Sequence, residues 1–176
     1  MLSILLLLLL PRLYADRSDL HSSPNVVYEL HKTFEHDSEC FTQGLLFYNE
    51  YLYESCGLFG HSHLKKMDPE TGNVLIRYDE FPRSVFSEGI VIVGEDLYML
   101  TWQSKDLYVF SADTLTLKFQ TKFTTYRGQG WGIVYDGTHF IASDGSNRLT
   151  YMTVPHSKGE VSTFVKDVKV KEKRGL

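Results

Sequence analysis

Phe41-Thr42-Gln43-Gly44-Leu45 returns as Phe86-Ser87-Glu88-Gly89-Ile90 and again, shortened, as Gly130-Trp131-Gly132-Ile133. The anchoring glycines, Gly44, Gly89 and Gly132, are spaced 45 and then 43 residues apart. Eight residues beyond each glycine stands a second strand-like pair: Leu52-Tyr53, Leu97-Tyr98 and Phe140-Ile141. Further along, Met67-Asp68, Phe110-Ser111-Ala112-Asp113 and Met152-Thr153 each open a polar turn. A period of roughly 40–45 residues built from four short strands is the pattern of a propeller blade. The expected fold is therefore all-β, with about three blades near residues 41–80, 86–122 and 130–165.

Working outward, the first unit divides into strands at residues 44–47, 51–55, 63–67 and 74–78. Asp68-Pro69-Glu70-Thr71-Gly72 is a turn in which proline presets φ and glycine supplies φ > 0. Gly94-Glu95-Asp96 and Asp136-Gly137 mark the first hairpin turns of the other two units. Residues 26–34 alternate apolar and polar side chains and read as one more, N-terminal strand. The whole propeller segment is then residues 26–165.

Residues 1–15 contain an unbroken leucine run, Leu5 to Leu10, too short to span a bilayer, which needs roughly 20 apolar residues. They read as a secretory signal, with an uncleaved anchor as the competing reading, followed by a linker at 16–25, and the signal reading implies a secreted or endomembrane-lumen protein with no stable membrane association. A net charge of −4 argues against nucleic-acid binding. Residues 166–176 read as a divergent, solvated charged tail. Export makes a disulfide between the two cysteines, Cys40 and Cys56, chemically allowed. The hairpin register nevertheless offsets them by about three residues, and a bridge needs Cα atoms within about 7 Å. Both a bridge and two separate thiols stay open, with separate thiols favoured.

Antiparallel order places the loop before each first strand and the loop between second and third strands at one end. That end gathers Gln43, Glu88 and Trp131, together with Ser55-Cys56-Gly57, Leu100-Thr101-Trp102 and Ser143-Asp144-Gly145. A crowded carboxyl such as Glu88 loses solvation, which raises its pKa and suits acid–base work. A purely structural carboxylate is the competing reading. Gln43 has the same alternatives, substrate contact or inter-blade bonding. Trp102 and Trp131 share this end, which favours pocket walls over core packing. Asp144 reads first as a loop cap. His61 and His63 form an H-x-H pair without further ligands at metal spacing, so no metal or cofactor is expected. Gly57-Leu58-Phe59-Gly60 and Gly128-Gln129-Gly130 read as turns, since no helix follows to make a phosphate loop.

These motifs, with Leu52-Tyr53-Glu54-Ser55 and Leu97-Tyr98-Met99-Leu100-Thr101-Trp102, occur in the order found in plant-type glutaminyl-peptide cyclotransferases, and the chain resembles that family over about residues 26–160. The resemblance implies a five-bladed propeller and an acyltransferase that turns the N-terminal glutamine of a peptide into pyroglutamate, releasing ammonia. It makes Glu88 the proton carrier and Gln43, Phe41, Phe86, Trp102 and Trp131 the substrate-binding set, with Asp144 and Thr101 as further candidates. It implies a peptide substrate and no metal. The chain departs from the family at Gln129, where an acidic residue is usual, at Cys56, and in the absence of later family segments. That absence raises a second expectation: a truncated, non-catalytic fragment that at most binds partners, nearly inactive by itself.

Overall fold

The computed structural model describes residues 29–171. The signal at 1–15, the linker at 16–25 and the first residues of the N-terminal strand lie outside that span. So do residues 172–176. Residues 29–38 belong to a unit separate from the remainder of the chain. They contain no strand, which corrects the expected strand at 26–34 as far as residues 29–34 are concerned. Alternation alone did not make a strand there, because a strand needs a ladder partner for its backbone groups.

From residue 39 onward all twelve described elements are strands: β1 (Phe41–Tyr48), β2 (Tyr51–Gly57), β3 (His63–Met67), β4 (Val74–Tyr78), β5 (Ser87–Val93), β6 (Asp96–Thr101), β7 (Asp106–Ser111), β8 (Leu117–Lys122), β9 (Ile133–Tyr135), β10 (Phe140–Ala142), β11 (Arg148–Met152) and β12 (Phe164–Lys169). They form three four-stranded antiparallel meanders, β1–β4, β5–β8 and β9–β12, each strand beside its neighbour in sequence. The repeat read from the glycines is thus one sheet per unit. The expected solvated tail starts inside a strand, since β12 pairs with β11 as far as Arg148↔Lys169. The side chains of β12 stay exposed on both faces apart from the half-buried Asp167, which pairs with Arg148 across the ladder.

The middle sheet is buried on both sides, and its sequence shows why. In β6 the run Leu97-Tyr98-Met99-Leu100 sends Leu97 and Met99 into one core and Tyr98 and Leu100 into another. The first core joins β5–β8 to the first sheet through Tyr53, Leu64, Ile90, Tyr108 and Phe110. The second joins it to the third sheet through Val91, Val109, Phe123, Ile133 and Phe140. A continuous apolar run is what a strand covered on both faces requires. Buried tyrosines finish the seams: Tyr53 Oη–H donates to Ala112 O at 2.9 Å, and Tyr98 Oη–H to Pro155 O at 2.9 Å.

Glycines set the spacing between sheets. A Cβ at Gly44 would stand 2.9 Å from Ile90 N, and one at Gly89 would stand 2.5 Å from Trp131 O. Both distances are shorter than atoms tolerate, so β1, β5 and the segment entering β9 approach closely only because these positions lack a side chain. Gly89 N–H donates to Trp131 O at 2.8 Å across that contact.

Cys40 and Cys56 form a disulfide with a Cα separation of 4.9 Å, against the separate thiols favoured from sequence. The reason is a bulge. Strand β1 starts at Phe41, earlier than expected, and its pairing with β2 slips by one residue between Thr42 and Gly44. The slip brings the offset between the cysteines from three residues to two. An even offset places both on the same face of the sheet, where a diagonal bridge closes.

Candidate active site

Two of the candidate residues sit in β-bulges. Gln43 is the extra residue between the pairs Thr42↔Cys56 and Gly44↔Ser55. Glu88 lies between Ser87↔Thr101 and Ile90↔Met99, where two residues oppose one. A bulge breaks strict alternation and re-aims the side chain it carries. Trp131 occupies the corresponding place one residue before Gly132. Its N–H donates to Ser143 O at 3.0 Å, and Ser143 N–H donates back to Gly132 O at 3.0 Å. The Gln43-Gly44, Glu88-Gly89 and Trp131-Gly132 pairs are therefore one structural device used three times.

Serine hydroxyls lock the device between sheets. Ser55 Oγ–H donates to Glu88 O at 2.6 Å, and Ser87 Oγ–H to Cys56 O at 2.6 Å. These bonds hold β5 against β2, the partner strand of the one that carries Gln43, while Gly89 N–H holds β5 against the Trp131 segment that enters β9. Only 7 % of Glu88 is exposed. Among the described residues no hydrogen bond or ion pair reaches its carboxyl, and burial pushes the pKa up to about 7. At neutral pH such a group is about half protonated, the condition in which one carboxyl both takes and gives a proton.

The aromatic candidates form a chain of contacts. Phe86 is the hub, with ring centroids 6.3 Å from Phe41 and 5.5 Å from Trp102, both edge-on. A Cβ at Gly57 would stand 2.9 Å from Gln43 Cγ and also strike Phe86, so Gln43 lies beside this hub. Phe59, which sequence reasoning passed over as part of a glycine-flanked loop, fills the gap at 5.3 Å from Phe86 and 6.1 Å from Trp102. Trp131 is 45 % exposed and lies over Gly145, where a Cβ would come within 2.7 Å of the indole. Gln129, read from sequence as a turn residue, joins the two tryptophans. Both indole Nε1–H groups donate to its Oε1, at 3.0 Å from Trp102 and 3.1 Å from Trp131.

Two further candidates are occupied elsewhere. Thr101 Oγ1–H donates to Asp106 O at 2.8 Å and accepts from Asp106 N–H at 2.9 Å and from Ser104 Oγ–H at 2.8 Å. It closes the β6–β7 loop and has no capacity left for a ligand. Asp144 is fully buried and caps its loop, accepting from Arg127 N–H at 2.5 Å and Ser146 N–H at 3.1 Å. The H-x-H pair separates as well: His61 is exposed in a turn, and His63 is buried with Nδ1 2.9 Å from His61 O. Charge lies buried nearby in β2 and β3, where Lys65 Nζ stands 2.8 Å from Glu54 Oε2 and Thr42 Oγ1–H donates to Glu54 Oε1 at 2.6 Å.

At the opposite ends of the sheets a cleft of about 510 Å³ opens, lined by Tyr51, Tyr53, Lys66, Glu95 and Asp113 among others. Its ammonium is engaged. Lys66 Nζ–H donates to Asp113 O at 2.9 Å and Oδ1 at 3.0 Å, and lies 4.1 Å from the centre of the Tyr51 ring. This cleft is a clasp between the first and second sheets.

Three repeated four-stranded antiparallel sheets, with a buried carboxyl at Glu88 and a cluster of aromatic rings at Phe41, Phe59, Phe86 and Trp102, define an all-β protein of repeated-sheet architecture. The sequence model of a family described as glutamine cyclotransferase matches residues 3–174. An Arabidopsis thaliana protein, glutaminyl-peptide cyclotransferase, is 36 % identical over 120 residues, which are 68 % of this chain and 37 % of that protein. The chain belongs to the glutamine cyclotransferase family. Among solved structures, Myxococcus xanthus glutaminyl cyclase superposes with a TM-score of 0.62 at 29 % identity, over 77 % of this chain and 53 % of that one. BamB from Moraxella catarrhalis shares the fold alone, with a TM-score of 0.50 at 14 % identity over 76 % of this chain and 38 % of that one. The chain thus spans just over a third of its Arabidopsis relative and about half of the Myxococcus structure.

Proposed function

We propose that the protein carrying this chain is a glutaminyl-peptide cyclotransferase, converting the N-terminal glutamine of a peptide into pyroglutamate. The observation that carries the reading is Glu88: a buried carboxyl without a partner among the described residues, with a pKa raised to about 7. In the reaction the α-amine attacks the γ-carbonyl carbon of the same residue. A C–N bond forms, the carbonyl oxygen takes up charge, and the γ-C–N bond then breaks as ammonia leaves. Glu88 as carboxylate accepts the proton of the attacking amine. As carboxylic acid it returns that proton to the leaving nitrogen, so atoms and charge balance with no other reagent. Gln43 holds the substrate amide or α-amine, and Phe41, Phe86, Trp102 and Trp131 wall off water.

The same reading assigns the three sheets to a five-bladed propeller, further sheets covering the apolar side chains left exposed on β1 (Leu45, Phe47) and β12 (Phe164, Val165, Val168). It places the protein in the secretory pathway, supported by the Cys40–Cys56 bridge, which belongs in an oxidising compartment. Its partner is a peptide or protein beginning with glutamine.

The test is an assay on a short peptide with N-terminal glutamine, following ammonia release and pyroglutamate by mass spectrometry. The chain is assayed alone and joined to the part of the Arabidopsis relative beyond the matched region. Turnover in either form, lost on Glu88→Gln by about 10²–10⁴-fold, supports the reading. Full turnover by the Glu88→Gln variant removes Glu88 from the chemistry, and no turnover in either form overturns the activity.

A further inference from the structure

We infer that Gln129 is a positioning residue that ties the two tryptophans of the candidate site into one unit. Trp102 follows β6 and Trp131 precedes β9, so the two belong to different sheets. They share a single acceptor, Gln129 Oε1, at 3.0 and 3.1 Å. An indole nitrogen is a donor only, and a carboxamide oxygen has two lone pairs. Two indoles therefore saturate this oxygen, and neither ring tilts without disturbing the acceptor of the other.

The backbone beneath Gln129 is held on both sides, which makes the shared acceptor a fixed point. Thr125 Oγ1–H donates to Gln129 O at 2.6 Å, and Thr125 is itself buried. Gly130 N–H donates to Thr101 O at 3.2 Å and to Trp102 O at 3.0 Å. A Cβ at Gly130 would stand 2.7 Å from Thr101 O, so the segment packs against the end of β6 without slack. Gln129 thus transmits the position of the β6–β7 end of one sheet to the first residues of the next. That this pair of tryptophans receives the glutamine side chain of a peptide rests on the cyclotransferase reading. The coupling of the two rings does not.

The chain contains two tryptophans in all, so a ¹H–¹⁵N spectrum of the 176-residue protein shows two indole resonances, and both report on this oxygen. Gln129→Met keeps the length of the side chain and removes the acceptor. Both indole protons then move upfield together and exchange faster with solvent, while Gln129→Glu, which retains an acceptor oxygen, leaves both near their original downfield positions. Movement of one resonance, or of neither, in Gln129→Met overturns the inference. If Gln129→Met does not fold, Trp102→Phe decides the matter from the other side. With its competitor gone, the Trp131 indole has the oxygen to itself and its resonance shifts; an unmoved resonance is fatal to the idea. In the active protein Gln129→Met raises KM for a glutaminyl peptide about tenfold, the size of one lost hydrogen bond, with kcat little changed, and Gln129→Glu restores it. Joint indole shifts with an unmoved KM overturn the role in substrate binding and leave the cyclotransferase reading standing. Absence of turnover in the unmutated protein strikes that reading alone, and the indole shifts still decide the coupling.

Discussion

Glu88 shows how surroundings set the chemistry of a single side chain. Burial raises its folded pKa to about 7 from an ordinary 4.5, so between those values the folded protein holds more protons than the unfolded chain. Stability contributed by the protonated carboxyl is therefore present at low pH and falls as pH rises from about 4.5 to 7. Denaturant titrations at pH 4 and pH 8 should show Glu88→Gln gaining stability over the parent protein at pH 8, with the gain gone at pH 4. An equal effect at both pH values would mean the carboxyl is not titrating in this window. The Glu54–Lys65 pair is the contrasting case, two buried charges answered by each other and by Thr42. Lys65→Met should destabilise by about 3 kcal/mol, because removing one member of a buried pair leaves the other's desolvation uncompensated. A shift in the chemical-denaturation midpoint with unchanged slope would measure it.

At the level of elements, the bulge does most to turn a repeat into a site. In β1 and β5 it interrupts alternation at the residue that precedes the packing glycine. The bulge delivers Gln43 and Glu88, and the glycine lets the neighbouring strand come close enough to keep them covered. In β1 the same bulge aligns Cys40 with Cys56. Gly89→Ala tests the second half of this device. The added methyl would lie 2.5 Å from Trp131 O, a backbone atom that cannot step aside without moving the start of β9. A loss of about 1–3 kcal/mol is expected, together with a disturbed Trp131 fluorescence. Gly94→Ala is the control, since nothing stands within 4 Å of its Cβ position and its cost arises from backbone conformation alone. Equal fluorescence changes in the two variants would show that close strand approach is not what holds Trp131.

For the whole molecule, the distribution of apolar surface matters most. The middle sheet buries both faces, whereas the first and third sheets each leave large apolar side chains exposed, among them Phe47 and Leu75 on one and Phe164 and Val168 on the other. Exposed apolar side chains two residues apart on one strand, as Leu45 and Phe47 are on β1, share a face and mark it for interaction. On the propeller reading, this surface is covered by further sheets. The chain alone should therefore bind a hydrophobic dye strongly or self-associate, and the form joined to the rest of the Arabidopsis relative should do neither. Weak dye binding by a monomeric chain would show that these faces need no cover.

What the sequence determined by itself was everything with a short period. The spacing of Gly44, Gly89 and Gly132 specified one sheet per repeat, and the boundaries of β3 and β4 follow directly from alternation and from the Asp68–Gly72 turn. It also specified the end of the sheets at which Gln43, Glu88 and the two tryptophans lie, because antiparallel order is a matter of counting. Tertiary structure decided what depends on a one-residue slip or on a distant partner. The disulfide turned on the bulge at Gln43, invisible in any pattern of residue types. Strand β12 needed the free edge of β11: its side chains stay solvated as the sequence suggests, and only the backbone pairing was not legible. Phe59 and Gln129 sat in loops whose glycines announced only turns. Their roles arise from side chains that sequence separates by up to 43 residues and that packing brings within 6.1 Å and 3.0 Å of Trp102.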